Sequence, residues 1–138
     1  MAIERTLVLV KPDGVRRRLV GEVIRRLEAK GLDIVAVRML QMDKEMASKH
    51  YEEHVAKPFF DDLVSFITGG RLVAMAVEGD EAISVVRTLM GATDPKKAAL
   101  GTIRGDLAIE LTENIVHGSD SRASARRELS LFFPDGLL

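Results

Sequence analysis

The chain has 138 residues, with 20 basic and 21 acidic side chains and a formal net charge of -1. That balance excludes the strongly basic surface of a dedicated duplex binder, yet leaves room for a local pocket of cations around a small anion. Cysteine is absent, which excludes disulfides, thiolate metal sites and thiol catalysis, and no apolar run approaches the roughly 20 residues of a membrane-spanning helix. The length suits one domain over residues 1–138. The N-terminus lacks the apolar core of a signal peptide, so the expectation is a cytoplasmic protein.

Thr6 to Val10 is an almost unbroken aliphatic run and predicts a strand buried on both faces. Lys11-Pro12-Asp13-Gly14 stops it with turn chemistry. Val20, Val23, Ile24 and Leu27 recur at helical spacing, and Gly31 closes that helix. Ile34 to Leu40 is a second strand. Asp43 is placed to cap a helix with Met46 and Tyr51 in its body; Pro58 interrupts, and a short helix follows over Phe59 to Ile67. Gly69-Gly70 turns the chain into a third strand, Leu72 to Val77, and Gly79-Asp80 leads to a helix through Val85, Val86, Leu89 and Met90.

Gly91 to Glu113 reads as a long irregular loop, and loops of that length in a compact domain are usually functional or disordered. Ile115 to His117 is a short strand, and Ser124 to Phe132 a closing helix. This order predicts an α+β sandwich of ferredoxin-like type: an antiparallel four-stranded sheet with helices packed on it, plus the long loop. Such a scaffold hosts many functions, so chemistry must be argued from side chains.

The most informative stretch is Asn114-Ile115-Val116-His117-Gly118-Ser119-Asp120-Ser121. Imidazole is a usable nucleophile near neutral pH. At a strand end before Gly118 the ring could face a cleft uncrowded, and Glu128 could return to orient it. A surface histidine in a polar turn is the plainer alternative. The long loop supplies Thr93, Lys96, Lys97 and Arg104, the preceding helix ends near Arg87, and Lys11 ends the first strand. Phosphoryl transfer needs cations and amide donors aimed at anionic oxygens; a solvated basic loop is the competing reading. Neither a P-loop nor a dinucleotide fingerprint is present, so dispersed side chains must hold any nucleotide. Phe59-Phe60 is either a core pair or a platform for a base. His50-Tyr51-Glu52-Glu53-His54 matches an inverted zinc-peptidase pattern, but nothing downstream demands a third ligand.

Taken together, the chain resembles nucleoside diphosphate kinase over essentially its full length. The resemblance rests on Lys11-Pro12-Asp13-Gly14, His50-Tyr51, Lys57-Pro58-Phe59-Phe60 with Leu63-Val64, and Gly91-Ala92-Thr93-Asp94-Pro95. Gly101-Thr102-Ile103-Arg104-Gly105-Asp106 and Asn114 to Ser121, which carries N-x-x-H-x-S-D, complete it. It implies γ-phosphate transfer from a nucleoside triphosphate to a diphosphate through a phosphohistidine at His117, with broad base specificity. By the same resemblance Lys11, Arg87, Thr93, Arg104 and Asn114 hold phosphates and ribose. Tyr51 sits near the histidine, on the helix formed by His50 to His54, while Glu128 and Ser119 support its ring. Phe59 stacks on the base, and Leu63 and Leu111 help enclose it. Magnesium arrives with the nucleotide, and Asp120 reaches it through water. The partners implied are nucleotides and copies of the chain, with a hexamer favoured over tetramer or dimer, and neither nucleic acid nor membrane.

Three positions depart from the family pattern: Arg18 stands where glycine is usual, and Arg71 and Leu100 where proline is frequent. They bear on stability and assembly rather than on phosphate binding. Two other classes compete with the kinase: a non-catalytic nucleotide- or nucleic-acid-binding module, and a phosphatase that passes phosphate from the histidine to water.

Overall fold

A computed structural model describes residues 2–137. Its centre is β1 (Ile3–Val10), which pairs antiparallel with β3 (Arg71–Asp80) on one side and with the three-residue β4 (Val116–Gly118) on the other. β2 (Asp33–Gln41) adds antiparallel to β3, giving the order β2-β3-β1-β4.

Alternation along β1 explains its continuous apolar run. Val8 and Val10 point into one core with Val73, Met75 and Val77, whereas Leu7 and Leu9 point into another with Leu72 and Ala74. Helices cover both faces, so both sets of side chains leave water. The first core is closed by α2 (Val20–Ala29) and α5 (Ala82–Met90). The second is closed by α3 (Lys44–His50), α4 (Phe60–Thr68) and α7 (Arg122–Phe132). Two helices are short, α1 (Pro12–Arg16) and α6 (Ile103–Leu107).

Several expectations shift. The turn after β1 is the single-turn helix α1, which Pro12 starts at a position where its missing N–H costs nothing. The expected irregular loop contains a 3-10 turn at Pro95–Lys97 and α6, which Thr102 caps by accepting from the Gly105 N–H at 3.0 Å. Tyr51 is not in the body of α3 but at its C-cap, because the chain tightens into a 3-10 turn at Glu52–His54. His50 and His54 therefore do not share a helix face. Phe59 is the residue before α4 rather than its first turn.

Two helix ends form the same motif with different residues. After α2, Gly31 takes φ +99°, with Leu32 N–H donating to Leu27 C=O at 3.2 Å and Gly31 N–H to Glu28 C=O at 3.0 Å. After α1, Arg18 takes φ +62°, with Leu19 N–H donating to Gly14 C=O at 2.9 Å and Arg18 N–H to Val15 C=O at 3.0 Å. Both are Schellman ends, and their left-handed residue is ordinarily glycine. Arg71 pairs with Gln41 at the exposed start of β3, and Leu100 is 86% exposed on the loop before α6.

Candidate active site

β4 alternates like any strand, and this sets the direction of His117. Val116 lies in the core beneath α5, and a Cβ on Gly118 would come within 2.8 Å of Met90 Cε and 3.1 Å of Val86 Cγ1. A side chain at Gly118 would make Met90 and Val86 shift, so Gly118 serves close packing against α5 rather than clearance on the cleft side as the sequence suggested. His117 points the opposite way, toward α3 and α7. Its Nε2 lies 3.1 Å from each oxygen of Glu128, and its side chain is 29% exposed.

The carboxylate is itself held. Ser119 Oγ donates to Glu128 Oε1 at 2.7 Å and accepts from the Leu7 N–H at 3.3 Å, linking the pair to the central strand. Burial alone would raise the Glu128 pKa, but the hydrogen bond and charge of His117, with the Ser119 bond, outweigh it and bring it down to about 2. Behind the histidine, His50 packs edge-on at 4.9 Å between ring centres and also meets Phe132 at 5.6 Å. Burial and the nearby His117 lower the His50 pKa to about 3, so it is neutral. Burial, with a smaller effect of Glu128, raises the Tyr51 hydroxyl to about 12.

The cationic side is built from the ends of β1, α5 and α6. Lys11 Nζ donates to Asn114 Oδ1 at 2.6 Å and to Thr112 C=O at 3.1 Å. Asn114 Nδ2 donates to Thr93 C=O at 3.0 Å, so three sequence-predicted residues form one chain of contacts. Burial lowers the Lys11 pKa to about 8 even though the Asp13 carboxylate opposes it. Arg104 donates to the carbonyls of Asn114, Gly91 and Val116 at 3.3, 3.0 and 2.7 Å, and burial next to Arg87 lowers its pKa to about 10. It remains charged at neutral pH, and three of its five donors brace the backbone. Arg87 Nη1 donates to Gly118 C=O at 3.1 Å.

Between Asn114 and His117 the backbone is strained. Ile115 has φ +73°, and Val116 N–H donates back to Asn114 C=O at 2.8 Å, a three-residue γ-turn. A β-branched residue there costs roughly 1–3 kcal/mol and persists only where its surroundings enforce it. They do: Asp13 Oδ2 accepts from Ile115 N–H at 3.0 Å, and Lys11 N–H donates to Ile115 C=O at 2.8 Å. The turn sends Asn114 and His117 into the same cleft.

That cleft, of about 640 Å³, is lined by Lys11, Tyr51, Phe59, Leu63, Arg87, Thr93, Arg104, Leu111, Asn114, His117, Asp120 and Glu128. Every site residue implied by the family resemblance reaches it except Ser119, which is buried behind Glu128. Lys96 and Lys97 are exposed and do not line it. Sequence reasoning missed Phe66, whose ring lies 5.4 Å from Lys11 Nζ, and Thr112, whose carbonyl holds that amine; neither residue type advertises such a role. It also missed the place of His50 behind the histidine, reading it as part of a zinc pattern and of the helix that carries Tyr51. Phe59 is 45% exposed at the rim, with Lys57 Nζ at 5.7 Å from its ring centre, so it is not a core residue.

The carboxylates lining the cleft are Glu53, Asp62, Asp120 and Glu128. Asp120 is exposed and lines the cleft that also holds Lys11, Arg87 and Arg104, which suits a magnesium ion held chiefly by phosphate oxygens and water. Among the described residues, one close-set group of potential metal ligands is His50, His117 and Glu128.

Comparison with known proteins gives a consistent picture. A family model described as nucleoside diphosphate kinase matches residues 4–137. The nucleoside diphosphate kinase of Thermobifida fusca is 65% identical over 133 residues, covering 96% of this chain and 98% of its own length. That of Metallosphaera sedula is 59% identical, covering 96% and 95%. A halophilic nucleoside diphosphate kinase from Halobacterium salinarum, solved in complex with CDP, superposes with a TM-score of 0.95 at 53% identity, covering 98% of this chain and 91% of that one.

Proposed function

The chain belongs to the nucleoside diphosphate kinase family and transfers phosphate from a nucleoside triphosphate to a nucleoside diphosphate, and we propose that His117 carries that phosphate between them. One observation bears most of the weight. His117 Nε2 sits 3.1 Å from both oxygens of an ionised Glu128, while the ring is partly open to a cleft that also holds Lys11, Arg87 and Arg104. With Nε2 bearing the proton and donating to the carboxylate, the lone pair resides on Nδ1. Nδ1 attacks the γ-phosphorus, the bond to the bridging oxygen breaks, and the diphosphate departs. Glu128 stabilises the positive charge that the phosphorylated ring acquires, and the Nε2 proton stays in place. A second diphosphate then attacks the phosphorus through a terminal β-oxygen and regenerates the ring.

The remaining residues bind and orient. Lys11, Arg87 and Arg104 face the phosphate oxygens, where preorganised charge lowers the barrier. Thr93 and Asn114 take the ribose and inner phosphates, and Tyr51 borders the histidine. Phe59 stacks on the base with Leu63 and Leu111 enclosing it, an arrangement indifferent to base-edge chemistry. The bound CDP of the Halobacterium protein is in keeping with acceptance of pyrimidines. Magnesium, brought by the nucleotide and approached by Asp120 through water, would neutralise charge on the phosphates.

The reading extends to a single cytoplasmic domain that assembles into a homo-oligomer, with a hexamer favoured. Leu100 and Ile109 near α6, and Val37 and Met39 on the edge strand β2, are exposed apolar side chains that assembly would cover. Among the described residues, no helix is long and apolar enough to cross a membrane. Solution mass decides the assembly. For the chemistry, γ-labelled ATP should yield an acid-labile, base-stable phosphoprotein that passes its label to added GDP. His117→Ala should form none while still binding nucleotide. A labelled His117→Ala protein, or loss of the label to water alone, defeats the proposal.

A further inference from the structure

Behind the cleft, one ligand atom from each of His50, His117 and Glu128 lies within 4.8 Å of the other two. His50 Nδ1 is 3.9 Å and His117 Nε2 3.1 Å from the same oxygen, Glu128 Oε2. His50 Nδ1 is buried and has no hydrogen-bond partner among the described residues, and the His50 side chain is 2% exposed. A buried ring nitrogen left unpaired beside a carboxylate calls for an explanation. Holding the His117 ring does not supply one, because Glu128 already receives His117 and Ser119.

We propose that His50, His117 and Glu128 form an inhibitory binding site for a zinc-class divalent cation. The proposal rests on the assignment of His117 as phosphate carrier. Two imidazoles and one carboxylate are a donor set zinc uses, with a fourth position left open, here toward the cleft through the partly exposed His117. Imidazole nitrogen favours zinc, cobalt and nickel over magnesium, which seeks oxygen ligands, so the ion accompanying a nucleotide does not compete. Zinc–nitrogen bonds of about 2.0–2.1 Å place tetrahedral ligand atoms about 3.3 Å apart. The His117–Glu128 pair already meets that spacing, so capture asks chiefly that the His50 ring swing inward. Ser119 holds Glu128 through Oε1, leaving Oε2 for the ion and supplying the outer hydrogen bond that metal-bound carboxylates keep.

Capture changes the carrier without blocking the phosphate pocket. The ion takes the Nε2 lone pair, and the single proton of the neutral ring moves from Nε2 to Nδ1. There it occupies the lone pair that would attack phosphorus. The ion also binds His50 Nδ1 and Glu128 Oε2, the Nε2–H···Glu128 hydrogen bond is lost, and no other covalent bond changes. Lys11, Arg87 and Arg104 remain free, so nucleotide still binds but the phosphoenzyme does not form.

The test uses the full-length protein, with ZnCl2 in equilibrium dialysis without nucleotide and CoCl2 as a spectroscopic probe. The expected result is one zinc per chain and the intense visible bands of tetrahedral cobalt. His50→Leu should bind zinc at least tenfold more weakly. Zinc at a concentration that halves the wild-type rate of phosphoenzyme formation from Mg-ATP should leave wild-type ATP affinity within about twofold. Absence of stoichiometric zinc, or zinc affinity unchanged in both His50→Leu and His117→Gln, overturns the site. If His50→Leu does not fold, X-ray absorption at the zinc edge of the wild type must show two imidazole ligands; one or none overturns it equally. The two readings separate cleanly. Phosphoprotein formed in zinc-free buffer without any zinc binding defeats only this site, whereas zinc binding without phosphoprotein defeats only the carrier.

Discussion

Replacing Arg18 by glycine should stabilise the chain, although the position is exposed and remote from the cleft. Arg18 occupies the left-handed position of the Schellman end of α1 at φ +62°, with both diagnostic hydrogen bonds formed. An L-residue in that conformation costs roughly 1–2 kcal/mol, and glycine's extra freedom in the unfolded chain costs about 0.5–1 kcal/mol. The difference leaves a net gain of about 0.5–1 kcal/mol. For a chain of 138 residues, the unfolding entropy of about 0.3 kcal/mol/K converts this to a rise in Tm of roughly 2–3 °C. The assay is thermal unfolding followed by circular dichroism, with wild type and variant at one protein concentration so that any assembly contributes equally. Arg18→Ala is the control: it deletes the same charge but keeps a Cβ, and should leave the midpoint nearly unchanged. If Arg18→Gly fails to raise the midpoint, or Arg18→Ala raises it as much, backbone conformation is not what limits this turn.

Glu128→Gln removes the charged partner of His117, and hydrogen bonds to charged groups are worth about 1.5–3 kcal/mol, so phosphoenzyme formation should slow roughly 10–150-fold; a stopped-flow rate within twofold of wild type would contradict it. Glu128 also sets an acid limit. Its folded pKa of about 2 lies below the ordinary 4.5, so its contribution to stability is complete above pH 4.5 and is lost as pH falls through about 2. Lys11 has the opposite charge and a lowered pKa of about 8, so kcat/KM should fall as pH rises through about 8 while the amine deprotonates. Lys11→Arg stays charged, and a basic limb that persists unchanged in that variant would assign it to another group. Phe59→Ala should weaken every nucleotide by about 1–3 kcal/mol irrespective of base, as titration with ADP, GDP and CDP will check; loss confined to one base would argue against stacking.

Apolar runs revealed β1 and β3, and helical spacing revealed α2 and α5, because each buries a continuous run or face. Gly31 was legible as a helix end since only its backbone freedom matters there. The helix at Pro12–Arg16 was hidden because a single turn has too few residues to show a period. Tyr51 was misplaced for a related reason: the switch from α to 3-10 geometry after His50 follows packing rather than a local breaker. His117, Arg104 and Phe59 drew their weight from family motifs, as their own spacing left each ambiguous. Contacts made through backbone carbonyls, such as Arg104 with Asn114, Gly91 and Val116, leave no trace in residue identity. His50 was read along the helix toward His54, whereas its consequential neighbours come from β4 and α7.

The pairing of β4 with β1, which seats His117 opposite Leu9, has a bearing on how the chain matures. Lys11 and Glu128 come from opposite ends of the sequence, and the strand carrying the histidine is an edge of three residues that few local contacts can hold early. Such distant pairings form only after loop closure has been overcome, and so belong to the slow part of folding. Catalytic competence is therefore a late signal: after dilution from denaturant, helix content should recover first and turnover last, when α7 docks. Regained activity then acts as a clock for that final docking event.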